Sequence, residues 1–271
     1  MITASFRHIR GLGPLRERQL WARGVDRWEA VPPEGEVLSP RLDARLRAGV
    51  AESSARFAAG DLDHFARLLP PREHWRLLPH LIDSAAFVDV EVGSDPDRPT
   101  VVGVLDARGI HAFVRGRDLE AFPRRAAAWR CLVTFNGAAF DVPILRRAFP
   151  GWEPPAAHVD LRHVYARLRE PGSLKALEAR LGFFRPPHLS RLTGADAVRM
   201  WRERDLRRLV EYNLYDCFHL RPLAELGYNR LLRRTGMPAP ELPVTERGAL
   251  LYDVSRAVEA AVGGAIPAMQ R

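Results

Sequence analysis

The sequence predicts a mixed α/β fold: a central sheet flanked by helices, preceded by a small helical region. Three observations carry this expectation. Segments rich in β-branched and aromatic residues, "AAFVDVEVG", "TVVGVLDARGIHAFVRG" and "CLVTF", cluster between Ser84 and Phe135. Helical patterns dominate from there to Thr235. Strands first and helices after them, with a buried strand between, describe one α/β core.

The elements follow in order. Residues 1–30 read as two short helices around "GLGP". Residues 31–83 are rich in Pro, Arg and Ala and read as a helical connector, partly mobile, with patches such as "PRLDARLRAGVAESSARFAAG". Residues 84–235 form the core domain. "AAFVDVEVG" is a strand, and the next two strands meet at Asp106-Ala107-Arg108-Gly109 as a hairpin. "CLVTF" is a buried strand, followed by Asn136–Gly137 and the helix "AAFDVPILRRAF", with Pro143 suited to its first turn. "HVDLRHVYARL" reads as a short strand running into a helix. "GSLKALEARLG" is a helix with Ser173 as N-cap and Gly182 as its stop. "GADAVRMWRERD" is a further helix, and a long helical stretch from Asp205 carries Pro222 inside it. The tail, 236–271, opens on "GMPAPELP" and continues into a terminal helix, "RGALLYDVSRAVEAAV".

Composition excludes several classes. Apolar content of 46% and charged content of 27% are ordinary for a soluble globular chain. No apolar run reaches the roughly 18–20 residues of a membrane helix. The first residues lack the apolar centre of a secretion signal, so a cytoplasmic protein without membrane partners is expected. Cys131 and Cys217 are too few for a disulfide framework or a zinc cluster and read as buried free thiols. The net charge is +8 and the pI about 10.4. From Ala121 to Thr235 there are 21 Lys/Arg and 11 Asp/Glu, so the rest of the chain is slightly acidic. A basic half of this kind suits a polyanion such as nucleic acid.

Four acids stand out. Asp89 and Glu91 lie two apart on a predicted strand, so they share a face. Their neighbours Phe87, Val88, Val90 and Val92 are apolar. Adjacent carboxylates raise each other's pKa unless a cation intervenes; the alternative is an edge strand with a solvated acidic face. Asp141, in "TFNGAAFD", follows a buried strand; the alternative is a helix N-terminal acid favoured by the dipole. Tyr212 and Asp216 are i and i+4 on one helix face, beside Leu209, Cys217 and Leu220; the alternative for Asp216 is a salt bridge to an arginine. Converging, the four acids would hold two Mg²⁺ or Mn²⁺ ions about 3.5–4 Å apart, a phosphodiester-cleaving arrangement. Oxygen donors suit these metals, and no Cys/His cluster speaks for zinc.

"FVDVEVG", "NGAAFD" and "YNLYD" resemble the three motifs of the DEDD exonuclease superfamily, in its tyrosine (DEDDy) branch. "TFNGAAFDVPIL", "HVDLRHVY", "GSLKALEARLG", "GADAVRMW" and "LVEYNLYD" are similar to the YprB-type RNase H-like family, from about Phe6 to Leu226. The resemblance implies an RNase H-like fold, two divalent cations (Mg²⁺ or Mn²⁺), and 3′→5′ hydrolysis of DNA or RNA at a single strand or a 3′ end. It implies that Asp89 bridges both cations, Glu91 and Asp216 complete the first site, and Asp141 holds the second through water. Tyr212 would orient the attacking water, and Asn136 would touch the nucleic acid or brace the strand end. Asp160, in "HVDL", is expected to be structural. Val92 departs from the pattern, which usually has a small polar residue there, often threonine; its loss weakens the grip on a terminal nucleotide. "HIRGLGPLRERQLWARGV" resembles a helix-hairpin-helix whose Gly11 and Gly13 bring backbone N–H groups close to a phosphate. The alternative function is a nucleic-acid-binding module with an inactive or vestigial site.

Overall fold

Five strands form one mixed sheet in a computed structural model that describes residues 1–245 and 247–263. They are β1 (Ala85–Val92), β2 (Pro99–Asp106), β3 (Gly109–Val114), β4 (Cys131–Thr134) and β5 (Ala157–Asp160), in the order β3-β2-β1-β4-β5. β1, β2 and β3 pair antiparallel, while β4 and β5 run parallel to β1. The hairpin turns at Asp106, whose carboxylate accepts from the Arg108 N–H at 2.8 Å. Cys131 and Cys217 are buried free thiols.

Ahead of the sheet lie α1 (Pro14–Ala22), α2 (Pro40–Ala58), α3 (Leu62–Leu68) and α4 (Leu78–Leu81). The expectation of two helices around Gly11-Leu12-Gly13 is corrected: only α1 is an α-helix. Before the glycines there is a three-residue 3-10 turn, Ile2–Ala4, and then single turns closed by Ile9 N–H to Phe6 O and Leu12 N–H to Ile9 O. Local chemistry explains this. The Glu17 carboxylate takes the Phe6 N–H at 2.8 Å and the Ser5 hydroxyl at 3.2 Å, and Gly13, preceding Pro14, is held extended. Leu46, Phe65 and Trp75 of the expected connector join one hydrophobic core with Phe6, Trp28, Phe87, Leu220 and Tyr228. These helices therefore pack on the sheet domain rather than linking to it loosely.

The alternation of β1 sets the two faces of the sheet. Ala86, Val88 and Val90 pack under α5 (Phe122–Ala126) and α6 (Asp141–Ala148), against Phe122 and Leu145. On the opposite face come α7 (Leu161–Arg167), α8 (Leu174–Leu181), α9 (Gly194–Glu203) and α10 (Leu206–Thr235). Ser173 caps α8 by accepting from the Ala176 N–H, and Gly182 ends it in a left-handed conformation, as the sequence predicts. α10 runs unbroken through Pro222, and its 30 residues, about 45 Å, cross the sheet and bring residues 212–217 over β1 and β2. α6 begins at Asp141, later than the sequence suggests, because Asn136 to Phe140 form a turn. α11 (Arg247–Val262) packs Val254 and Val258 into a cluster with Val114, Leu214 and Phe218; the rest of the predicted tail, 264–271, lies outside the described residues. No helix among the described residues is long and apolar enough to cross a membrane.

Candidate metal centre

The parallel strands β1, β4 and β5 end at one edge of the sheet, the usual place for ligands in open α/β sheets. Phe87 pairs with Val133 and Thr134 with Asp160, so Asp89 and the turn after Thr134 sit together at that edge. Asp89, Glu91, Asp141, Asn136, Tyr212 and Asp216 all line a cleft of about 530 Å³ there. Val92 and the exposed Phe140 line it too.

Each side chain is placed by a local device. β1 carries Asp89 and Glu91 on the face toward α10, and a bulge follows Glu91: it pairs with Val101, but Val92 pairs with Pro99. The extra residue, Thr100, donates its hydroxyl to the Glu91 carbonyl at 3.0 Å. Asn213, fully buried on α10, donates to the Asp89 carbonyl at 3.1 Å and to its carboxylate at 2.8 Å. This contact depends on Gly103, which pairs with Asp89 across β2. A Cβ there would run into Asn213 Oδ1 and lie 2.7 Å from Cys217 Sγ. Asp141 starts α6 and accepts from the Val90 N–H at 2.8 Å. Its alternative as a helix N-terminal acid is thus realised, at a position that also faces the cleft.

Asn136 has φ +67 and opens a tight turn; at Gly137 a Cβ would sit 2.5 Å from Thr134 Cβ. Asp160 accepts from the N–H groups of Asn136 (2.8 Å), Ala138 (3.1 Å) and Arg162 (3.0 Å). Arg162 donates to the Asn136 side chain at 2.7 Å. Asp160 thus shapes the turn that presents Asn136.

Asp89, Glu91 and Asp216 each offer an oxygen within 4.8 Å of the others, and they are the one such group of three among the described residues. Asp141 stands beside them in the cleft. Burial, then the charges of Asp216, Glu91 and Asp141, push Asp89 well above the usual carboxylate range. Burial and the charges of Asp216 and Asp141 do the same to Glu91. Burial raises Asp141 to about 7 against its backbone hydrogen bonds, and Asp216 is raised by burial despite Arg185. Four crowded carboxylates lacking enough cationic charge, all with hard oxygen donors, fit divalent cations.

Besides Asn213 and Gly103, four more residues of the site escape sequence reasoning: Arg185, Glu178, His219 and Lys175. Arg185 donates to one Asp216 oxygen and holds Glu178 with two bonds, one of 2.8 Å. His219 backs Glu178 at 2.8 Å. Asp216 therefore has both its arginine partner and a place in the acid group. Lys175, the one lysine in the chain, donates to the Tyr212 hydroxyl at 2.6 Å and to the Leu192 carbonyl. Burial, and the charges of Asp216, Glu91 and Asp89, push the Tyr212 hydroxyl far above its usual range. Gly11 and Gly13 lie away from the cleft, at the start of α1, where Arg16 and Arg7 donate to the Gly11 and Leu12 carbonyls.

A family model described as the RNase H superfamily matches residues 86–228, just over half of the chain. No curated protein and no solved structure matches the chain.

Proposed function

The chain belongs to the RNase H superfamily, and from that premise we propose that it is a metal-dependent nuclease, a 3′→5′ exonuclease of the DEDDy type acting on single-stranded DNA or RNA. One observation carries this reading: Asp89, Glu91 and Asp216 converge within 4.8 Å at the cleft that Asp141 and Tyr212 also line. Asp89, Glu91 and Asp216 would hold one cation, and Asp89 with Asp141 would hold the second. Two bound divalent cations would supply activation of water and stabilisation of the leaving oxygen.

The protein's own groups divide the remaining work. Asn213 and Arg185 fix the carboxylates of Asp89 and Asp216, leaving each a second oxygen that would serve a cation. Lys175 pins the Tyr212 hydroxyl, which serves as an orienting group; a phenol, ordinarily titrating near 10, is a poor base at neutral pH. Phe140 offers a face on which a terminal base stacks. Val92 supplies only an apolar contact there.

A time course on 3′- and 5′-labelled single strands of DNA and of RNA, with Mn²⁺, tests the proposal. Stepwise shortening from the 3′ end is expected, and absent from Asp89→Ala. Binding of the strands with no cleavage under Mg²⁺ or Mn²⁺ would reject the nuclease and leave a binding module; internal cuts would reject the exonuclease.

A further inference from the structure

Two more hollows lie between the Asn136 turn, which borders the cleft, and the N-terminal helices. The first, about 440 Å³, lies just past the Asn136 turn and shares Ala138 and Asp160 with it. Its far side is lined by Pro71, Arg72 and His163. The same three residues line the second hollow, about 700 Å³, which reaches Pro14 at the start of α1. Cleft, turn and hollows thus form a run from Asp89 along the carboxyl edge of the sheet, past the edge strand β5, to the Gly13–Pro14 end of α1.

The chemistry of this run is two-sided. Its floor is apolar, with Pro71, Pro154, Pro155 and Ala156. Its rim carries exposed Arg72 and Arg146 and half-buried Arg167. Arg146 and Arg167 pair with Glu153 and Glu73, so Arg72 is the cation that would meet a phosphate, with exposed Arg162 nearby at the Asn136 turn. The acids along it are already engaged. Asp160 is capped by three N–H groups, Glu73 is buried among Arg76, Arg167 and Arg7, and Glu153 is paired with Arg146. An apolar floor beneath a cationic rim matches a single strand, whose bases are apolar faces and whose phosphates are anions.

We propose that this run is a track for the strand whose end lies in the cleft, holding the nucleotides upstream of the scissile bond through Arg72 and the apolar floor. The track explains why the N-terminal helices are packed against the sheet domain: they complete a groove that neither part forms alone. It rests on the nuclease reading for its direction but is tested by binding, without cleavage.

The test uses the full-length, non-cleaving Asp89→Ala chain with fluorescein-labelled single strands of about four and about twenty nucleotides. The long strand is expected to bind about tenfold more tightly. Arg72→Glu, and Arg72→Glu with His163→Glu, made on the same background, should bring the two affinities together. They should also lower the salt slope of long-strand binding by about one for each phosphate no longer neutralised. Both residues are exposed, and an unchanged unfolding temperature verifies the fold. Equal binding of the two strands by the parent, or long-strand affinity and salt slope unaltered in both variants, would overturn the track. Cleavage of labelled strands by the unsubstituted chain reports separately on the nuclease, so one can fail while the other stands.

Discussion

The molecule buries two dense charge clusters, and they are built on opposite principles. Under the N-terminal helices, the carboxylates of Glu17 and Glu73 meet three guanidiniums. Arg76 donates to Glu17 at 2.8 Å and to Glu73 at 2.7 Å, Arg167 to Glu73 at 2.9 Å, and Arg7 lies 3.8 Å from Glu73. Burial pushes Glu73 up, but Arg76, Arg167 and Arg7 together outweigh it and hold the carboxyl below its ordinary range; Glu17 is raised by burial despite Arg76. In the cleft, four carboxylates meet one guanidinium and one ammonium, and all four are pushed upward. The first cluster has more guanidiniums than carboxylates, whereas the second carries an excess of negative charge that the protein does not neutralise. Charge compensated by the chain marks structure; charge left for something else to compensate marks a site.

Breaking a pair in the compensated cluster should cost the most. Arg76→Met leaves Glu17 and Glu73 buried against fewer cations and should destabilise the fold by about 3–5 kcal/mol, read by chemical denaturation. A next, opposite effect belongs to the cleft. Mn²⁺ at roughly 100 times its Kd should stabilise the unsubstituted chain by about 2.7 kcal/mol and Asp89→Asn by much less. A shift of equal size in both would place the cation elsewhere.

Gly103→Ala sharpens the comparison through packing. Its new Cβ meets Asn213 and Cys217, so a loss of about 1–3 kcal/mol is expected, together with weaker Mn²⁺ binding, because Asn213 no longer holds Asp89. Without metal, Asp89→Asn should gain about 1 kcal/mol, since it removes one of the repelling charges, while Glu73→Gln should lose stability. If both lose stability without metal, the two clusters do not differ as described. The smallest effect concerns pH. Burial lowers His8 to about 3 and His80 to about 4. A His whose folded pKa is depressed contributes stability that is present above its unfolded pKa, near 6.5, and is lost as pH falls toward the folded one. The four raised carboxylates of the cleft act in the opposite direction over the same range, so the check is a difference: from pH 6.5 to 4, thermal unfolding of His8→Leu should lose less stability, or gain more, than that of the unsubstituted chain.

Much of this was legible in the sequence, for definable reasons. Period-two alternation placed Asp89 and Glu91 on one face. The helical period placed Tyr212 beside Asp216. The β-branched runs marked all three strands of the antiparallel half. What the sequence hid acts across elements. Gly103 looks like any strand glycine until Asn213 is seen to fill its place. Arg185 is one arginine among many, in an irregular Pro-rich loop without a period to reveal its inward direction. Lys175 carried a signal, as the one lysine of an arginine-rich chain, but composition alone does not point a side chain at Tyr212. The first thirteen residues misled because glycines between helix-like stretches suit a hairpin, while Glu17 and Pro14 instead tie the segment into turns.

If the uncompensated acids hold cations for phosphodiester hydrolysis, as proposed, cleavage must need both the metal and the acids. This need is tested most directly by following a labelled single strand with Mn²⁺, with excess EDTA, and with Asp89→Ala under Mn²⁺, each protein first shown to be folded. Hydrolysis is expected in the first case alone. Full activity in excess EDTA, or in Asp89→Ala, would contradict it.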